Sequence, residues 1–472
     1  MNAGAGLPGD VESWLSRQRW YRAKGSAARL RPIGGFALID PIGEADVFTH
    51  LLEDSSSDPP TLYQVPVTYR RTSLKDADRS LLGTVWADRS LKFVYDGPHD
   101  PAYSRALLAL VTAQASTAYD SGASAEATGH LLSPTAATEV TRTGVFTGEQ
   151  SNTSFVLELQ DAGGHTLAPL ICKLFRSLEP GANPDIEIQT ALSAAGCSRI
   201  PAPLGFVAGT WPARNGIDEA ASLSGHLAFI EEFIAGSENG WDIALRAVAA
   251  KEDFTGSSRE LGIITAEVHE LLAARMGTEE STKEMIQQTT ADMRERLALA
   301  LVEVPELAPC RDAIEDLFAA ASHSCWPPLQ RIHGDLHLGQ TVHSPERGWI
   351  LLDFEGEPLR PLGQRSMRDL GLRDLAGMLR SFDYAACAAA RNRVEDEAAP
   401  NSTMPGWAED ARRSFLRGYE SRSGLDLDQH GALLAALEID KALYETIYET
   451  RNRPDWLPIP LTAIHRLVTP NE

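Results

Sequence analysis

Apolar and polar positions alternate in twos through much of the first half of the chain and turn to a helical period in the second. Thr138 to Phe146 and Ser154 to Gln160 read as half-buried strands, and LAPLICKLF (167–175), after the turn DAGGHT, reads as a third. HLAFIEEFIAG (226–236) is a more continuous apolar strand that ends in two glutamates and a glycine. Between them, GANPDIEIQTALSAAGC predicts a helix: Asn183 caps it, Pro184 takes its first position, Ile188, Leu192 and Ala195 line its apolar stripe, and Gly196 closes it. After about residue 245 helical spacing dominates. In LGIITAEVHELLA (261–273) the face is Leu261, Ile264, Val268 and Leu271, which makes His269 a packed or capping residue. A long helix covers 436–450, with Asp440 and Tyr444 on one face, Lys441, Glu445 and Glu449 on the next, and Pro454 beyond its end.

Before the first of these strands lie about 110 residues with strand-like runs such as TLYQVPVTYR and SLKFVYDG behind WLSRQRWYRAKG. They are too patterned for disorder and predict a small domain of their own. YDSGASAEATGHLLSPTAAT (119–138) is small and polar enough for a linker. The expected division is an N-terminal domain over 1–118, a linker over 119–137, a strand-rich lobe over 138–235 and a mainly helical lobe over 236–472.

Composition narrows the partners. The chain has 472 residues, 43% hydrophobic, enough for several domains with real cores. A net charge of −22 argues against nucleic acid or an anionic membrane as partner. The N-terminus lacks a basic-then-apolar leader and no apolar run reaches membrane length, so a cytoplasmic protein is expected. Five scattered cysteines without a CxxC pair predict reduced thiols and no structural zinc. No obligate protein partner is indicated.

The chemistry concentrates in RIHGDLHLGQTVHSPERGWILLDFEGEP (331–358). Short strands before His333 and at Trp349 to Leu352 would hold Asp335, Gln340 and Asp353 around one cleft. Such a set suits phosphoryl transfer to a hydroxyl: Asp335 takes or orients the hydroxyl proton, while Gln340 and Asp353 offer oxygen ligands to magnesium. Upstream, TGEQSNT, with Gln150, Ser151 and Asn152, is a small polar turn able to present backbone N–H groups to phosphates. Lys173 sits on the third strand, where a solubility lysine on an edge strand is the competing explanation.

HGD, an amide five residues on, and DFE after a hairpin together resemble the aminoglycoside phosphotransferase branch of the protein-kinase-like superfamily. The resemblance implies an α+β, bilobal protein-kinase-like fold. It makes Lys173 the lysine that holds the α and β phosphates of ATP, Glu187 its helix partner, and Glu231 to Phe233 the hinge at the adenine edge. The family usually has Asn where Gln340 stands, so the longer side chain would reach Mg2+ from further back or through water.

RQRWYRAKG, SFDYAACAAA and DKALYETIYETRNRPDWLPIPLTAI together look like the actinobacterial maltokinase group, whose members carry an N-terminal cap domain on a kinase-like body. The likeness runs over essentially the whole chain. It implies ATP and a small-molecule sugar as substrates, with maltose and glucosamine both open. His337, Glu420, Asp440, Tyr444 and Glu445 are the candidate sugar contacts, with Tyr444 or Trp456 as a face for a pyranose. RSMRDLGLRDLAGM (365–378) has Arg368 and Gly371 where a maltokinase is expected to have prolines, which points to a divergent relative. Convergent carboxylates suit a cationic amino sugar, so glucosamine is the first expectation and maltose the second. A non-catalytic sugar or nucleotide sensor is the alternative of another class, and an antibiotic-modifying phosphotransferase a third.

Overall fold

The computed structural model describes residues 6–75, 77–118, 125–137, 139–146, 152–213, 222–358, 360–396 and 406–469. The chain forms two compact units, Met1–Thr190 with Pro201–Ala235, and Ala191–Ile200 with Gly236–Glu472. Helices and sheets are both well represented, an α+β protein.

The first unit contains two antiparallel sheets. In the N-terminal sheet the strands run in the order Leu30–Leu38, Asp46–Asp54, Thr61–Arg70, Ser90–Asp96, Leu81–Ala87. Alternation along Thr61–Arg70 sends Tyr63, Val65, Val67 and Tyr69 to a core under the short helix Val11–Ser16, with Trp14, Leu15 and Trp20. Phe36, Leu38, Val47 and Leu51 point the other way, towards the helix Pro101–Thr112. Asp100 caps that helix by accepting from the Ala102 N–H, and Pro101 occupies its first turn.

A second sheet has seven strands, ordered Ser116–Ala118, Glu126–Leu131, Pro203–Pro212, Ser222–Glu232, Thr166–Leu174, Thr153–Gln160, Glu139–Val145. The segment expected as a linker therefore contains a strand: Glu126–Leu131 pairs with Pro203–Pro212 through Gly205↔Leu131 to Thr210↔Glu126. Its small residues belong to close packing. A side chain at Gly129 would strike the Leu110 carbonyl of the helix above it. The two sheets share one hydrophobic core, and the short strand Ser177–Leu178, which follows Thr166–Leu174 in the chain, joins the N-terminal sheet through Ser177↔Tyr63 and Leu178↔Leu62, so N-terminal domain and strand-rich lobe pack as a single unit.

Helices dominate the second unit. Thr255–Met276 lies against Trp407–Ser423 at glycine contacts: a side chain at Gly262 would strike the Phe415 carbonyl, and one at Gly418 the Arg259 carbonyl. Gly431–Asn452 is buried along most of its length. A hairpin of Thr341–Ser344 and Gly348–Leu351, in register Thr341↔Leu351, carries the motif loops at its two ends. Among the described residues no helix is long and apolar enough to cross a membrane.

Candidate active site

Two loops flank the hairpin and are tied together. The His333 Nε2 donates to the Leu352 carbonyl at 2.8 Å, which fixes its tautomer and leaves Nδ1 to accept from the Asp335 N–H at 3.4 Å. The Leu352 N–H donates to the Gln340 carbonyl at 2.9 Å, and the Gln340 amide donates to Asp353 Oδ2 at 2.9 Å. Asp353 adopts a φ of 63°, an uncommon left-handed backbone for a non-glycine residue. Asp353 thus offers a carboxylate, and the adjoining Gln340, here donating through its amide nitrogen, carries an amide oxygen as well; carboxylate and amide oxygens are the hard donors that magnesium takes, so the residue types present fit that ion.

Beneath the first loop, Asp374 accepts from the His333 and Gly334 N–H groups, both at 2.8 Å, and from His269 Nε2 at 2.9 Å. His269 Nδ1 in turn accepts from the Tyr419 hydroxyl at 3.0 Å. His269 is therefore a buried support, as its place on the helix face suggested. Gly334, at φ 83°, makes the turn that a side chain would oppose.

Asp335 faces a small cavity of about 40 Å³ whose lining includes Glu357, Arg373, Asp440, Lys441 and Tyr444. Lys441 Nζ lies 3.4 Å from Asp335 Oδ1 and 3.5 Å from Glu357 Oε1, and sits over the Tyr444 ring. Burial opposes ionisation of Asp335, but Lys441 and the His337 and His333 rings outweigh it and hold the carboxyl below its ordinary range. The His337 ring is pushed towards its neutral form, first by burial, and its Nδ1 accepts from the Gly339 N–H at 3.0 Å.

The other expected sugar contacts divide. Tyr444 and Asp440 line the cavity, although Asp440 is already paired with Arg296 and, at 3.2 Å, with Arg373. Glu445 is not in the lining: it is buried and engaged by Arg380 at 2.9 and 2.7 Å. A carboxylate this deep needs a fixed cation, and Arg380 supplies it. Glu420 accepts from the Leu427 N–H at 3.1 Å, closing the turn after its helix. Trp456 stacks on Tyr384 and holds Arg453. Lys441 turns into the pocket, and Glu357 of the DFEGEP run joins it. The helical spacing placed both Lys441 and Glu445 on one face without saying which way that face turned.

In the first unit, Lys173 pairs in register with Phe229 and Ser154, in the middle of the sheet and not at an edge. Its ammonium contacts Asp185 Oδ2 at 2.5 Å and Glu231 Oε1 at 3.7 Å. The expected Glu187 partner is corrected: Asp185, in the first turn of Pro184–Ala194, has its side chain wholly buried and takes the lysine. Glu187 lies half-buried, near enough to His226 for its charge to act there. Gln189 bridges Asp185 at 2.8 Å and Glu231 at 2.6 Å. Glu231 pairs with Ile171 on one side and Pro203 on the other, so its backbone is inside the sheet and its side chain serves Lys173; it does not form a hinge. The Phe233 N–H donates to Pro169 at 3.1 Å, and its ring lies 6.0 Å from that of Phe146. Asn152 directly precedes the strand Thr153–Gln160, while Gln150 and Ser151 lie outside the described residues.

The chain is similar to known proteins along most of its length. Residues 14–100 match the maltokinase N-terminal cap domain, and residues 144–435 match the phosphotransferase enzyme family. A glucosamine kinase of Streptacidiphilus jiangxiensis is 29% identical over 297 residues, 60% of this chain and 64% of that protein. One of Mycolicibacterium smegmatis is 26% identical over 313 residues, 63% of this chain and 75% of that protein. The first of these matches thus spans under two thirds of the relative's own length. A solved structure of a glucosamine kinase in complex with glucosamine, ADP and inorganic phosphate has the same fold, with a TM-score of 0.62 at 20% identity over 98% of this chain and 100% of that one. The chain belongs to the phosphotransferase enzyme family, its kinase-like body preceded in sequence by a maltokinase-type cap domain.

Proposed function

We propose that this protein is an ATP- and Mg2+-dependent sugar kinase that transfers the γ-phosphoryl of ATP to the 6-hydroxyl of D-glucosamine. The observation that carries the reading is the placement of Asp335, held charged at the wall of a polar cavity, on a loop pinned by His333 to the one bearing Asp353. Asp335 accepts the proton of the attacking hydroxyl and aims its lone pair at phosphorus. His333 and Asp374 keep the loop in the shape that presents that carboxylate. Gln340 and Asp353 would hold magnesium, which when bound draws charge from the nucleotide phosphates. In the first unit, Lys173, steadied by Asp185 and Glu231, would supply a fixed cation for nucleotide phosphates. Transfer is direct, and no covalent enzyme intermediate is required.

The relatives named glucosamine kinase support glucosamine over maltose. Glu445, Glu420 and Asp440 are engaged within the protein, and Asp335 with Glu357 are the cavity carboxylates that Lys441 joins. The test is purified protein with ATP and magnesium, offered glucosamine, maltose, glucose or kanamycin separately, with ADP release and the mass of the product measured. Glucosamine phosphate is expected. Maltose phosphate would replace the substrate, and no turnover with any acceptor would favour a sensor.

A further inference from the structure

The ion pairs of Lys441 are loose in a place where tight ones are available. Its ammonium stands 3.4 and 3.5 Å from two carboxylates, whereas Arg380 meets Glu445 at 2.7 Å and Arg412 meets Glu438 at 2.8 Å in the same unit. Charge-assisted contacts close at about 2.7–2.9 Å when geometry permits. The Lys441 side chain keeps 29% of its exposure, so it has a route out. Two of the other pocket cations, Arg296 and Arg373, are anchored more firmly, and Arg360 about as loosely. Arg296 and Arg373 hold Asp440, Arg373 also holds Asp369 at 2.8 Å, and Arg360 spans Glu357 at 3.3 Å and Asp369 at 3.5 Å. With Lys441 in place the cavity measures about 40 Å³. Small-molecule sites run to about 300–1,000 Å³, so no pyranose fits beside the lysine.

We propose that Lys441 is a resident cation which the ammonium of the acceptor replaces, and that this exchange selects an amino sugar over a neutral one. The proposal rests on the glucosamine reading above. When Lys441 withdraws, Asp335 loses the one lysine or arginine paired with it among the described residues, and Glu357 loses one of its two cations, keeping Arg360 and its hydrogen bond with Tyr444. The Asp335 and Glu357 oxygens stand no further apart than the two lysine contacts laid end to end. A hexosamine with its hydroxymethyl group on one side of the ring and its ammonium on another spans a gap of that order, the hydroxyl on Asp335 and the ammonium at Glu357. Amine for amine, the charge of the pocket is unchanged. A neutral sugar would leave the two carboxylates short of one positive charge in a largely desolvated site, which is costly.

Lys441→Met tests this, since it keeps the length of the stem and removes the charge. The KM for glucosamine is expected to fall about tenfold, equivalent to about 1.4 kcal/mol of binding, with no gain in glucose or N-acetylglucosamine turnover. Lys441→Arg should bind glucosamine no better than the natural protein, and Lys441→Gln repeats the neutral case with a different shape. A KM that rises for glucosamine and glucose alike would overturn the exchange by making Lys441 a direct contact to sugar hydroxyls. A lost kcat at constant KM would also overturn it, by placing the charge at the transferred phosphoryl. The natural protein gives a separate check: equal use of glucose and glucosamine contradicts the proposal without any variant. If it phosphorylates another acceptor and not glucosamine, the substrate reading itself falls, a result distinct from all of these.

Discussion

Lys173 and Asp185 lie 2.5 Å apart, the lysine 12% exposed and the aspartate not at all. The pairing is local: a strand lysine and the first turn of the next helix, with Gln189 one turn further on holding the same carboxylate. Removing one partner of a buried pair leaves the other uncompensated, at a cost of about 3–5 kcal/mol. Asp185→Asn is therefore expected to lower the melting temperature and to raise the KM for ATP by about tenfold or more. Glu187→Gln should leave both within about twofold. Thermal melts and ATP titrations of the two variants decide it, and the reverse order would restore Glu187 as the partner.

This pair also shows what the sequence did and did not disclose. The helix, its Asn183 cap and the strand bearing Lys173 were legible because capping residues and periodicity are local signals. Two acidic residues in the first turn were equally legible, but which one reaches the lysine depends on how the helix is rotated against the sheet. Tertiary packing sets that rotation. The same limit applies to Lys441 and Glu445, and to Glu126–Leu131, whose small residues read as a linker because close packing under a helix leaves no apolar pattern. That Gln340 and Asp353 would be neighbours was legible because they flank one short hairpin, whose register brings the two side chains into contact.

Glu445 separates a structural from a substrate role. Its contacts with Arg380, which also holds Asp383 at 2.6 Å, predict that Glu445→Gln costs stability on the scale of a broken buried pair, about 3–5 kcal/mol. The KM for the sugar is expected to move less than about twofold, since 1.4 kcal/mol of binding corresponds to tenfold. A stable variant with a much raised KM would show that Glu445 does meet the acceptor.

The pH dependence follows from the lowered Asp335 pKa. A base whose pKa is depressed stays deprotonated on going down through the ordinary aspartate range, about 3.9, and is lost only as pH falls through the lower value. The acid limb of kcat/KM for the sugar should accordingly fall below that range. An acid limb near neutrality would contradict the assignment.

Stability should respond to acid through two histidines of the first unit. Burial lowers His50 and His226 to about 4, and the His226 Nδ1 accepts from the Asn183 N–H at the start of the Lys173-partner helix. A histidine depressed in the folded state contributes stability above its unfolded value, about 6.5, which is lost as pH falls towards and through 4. Melting temperature should decline by several degrees over that window. His50→Gln with His226→Gln should flatten the decline, and an unchanged slope would remove these residues from the account.

The most direct test of the central claim is Asp335→Asn, followed by single-turnover transfer from ATP to glucosamine and by calorimetric titration with nucleotide. The account predicts nucleotide affinity close to that of the natural protein and a transfer rate lower by a factor on the order of 100 or more, the contribution of a general base. Transfer at the natural rate would show that Asp335 is not the base, and the functional reading built on its loop would fall with it.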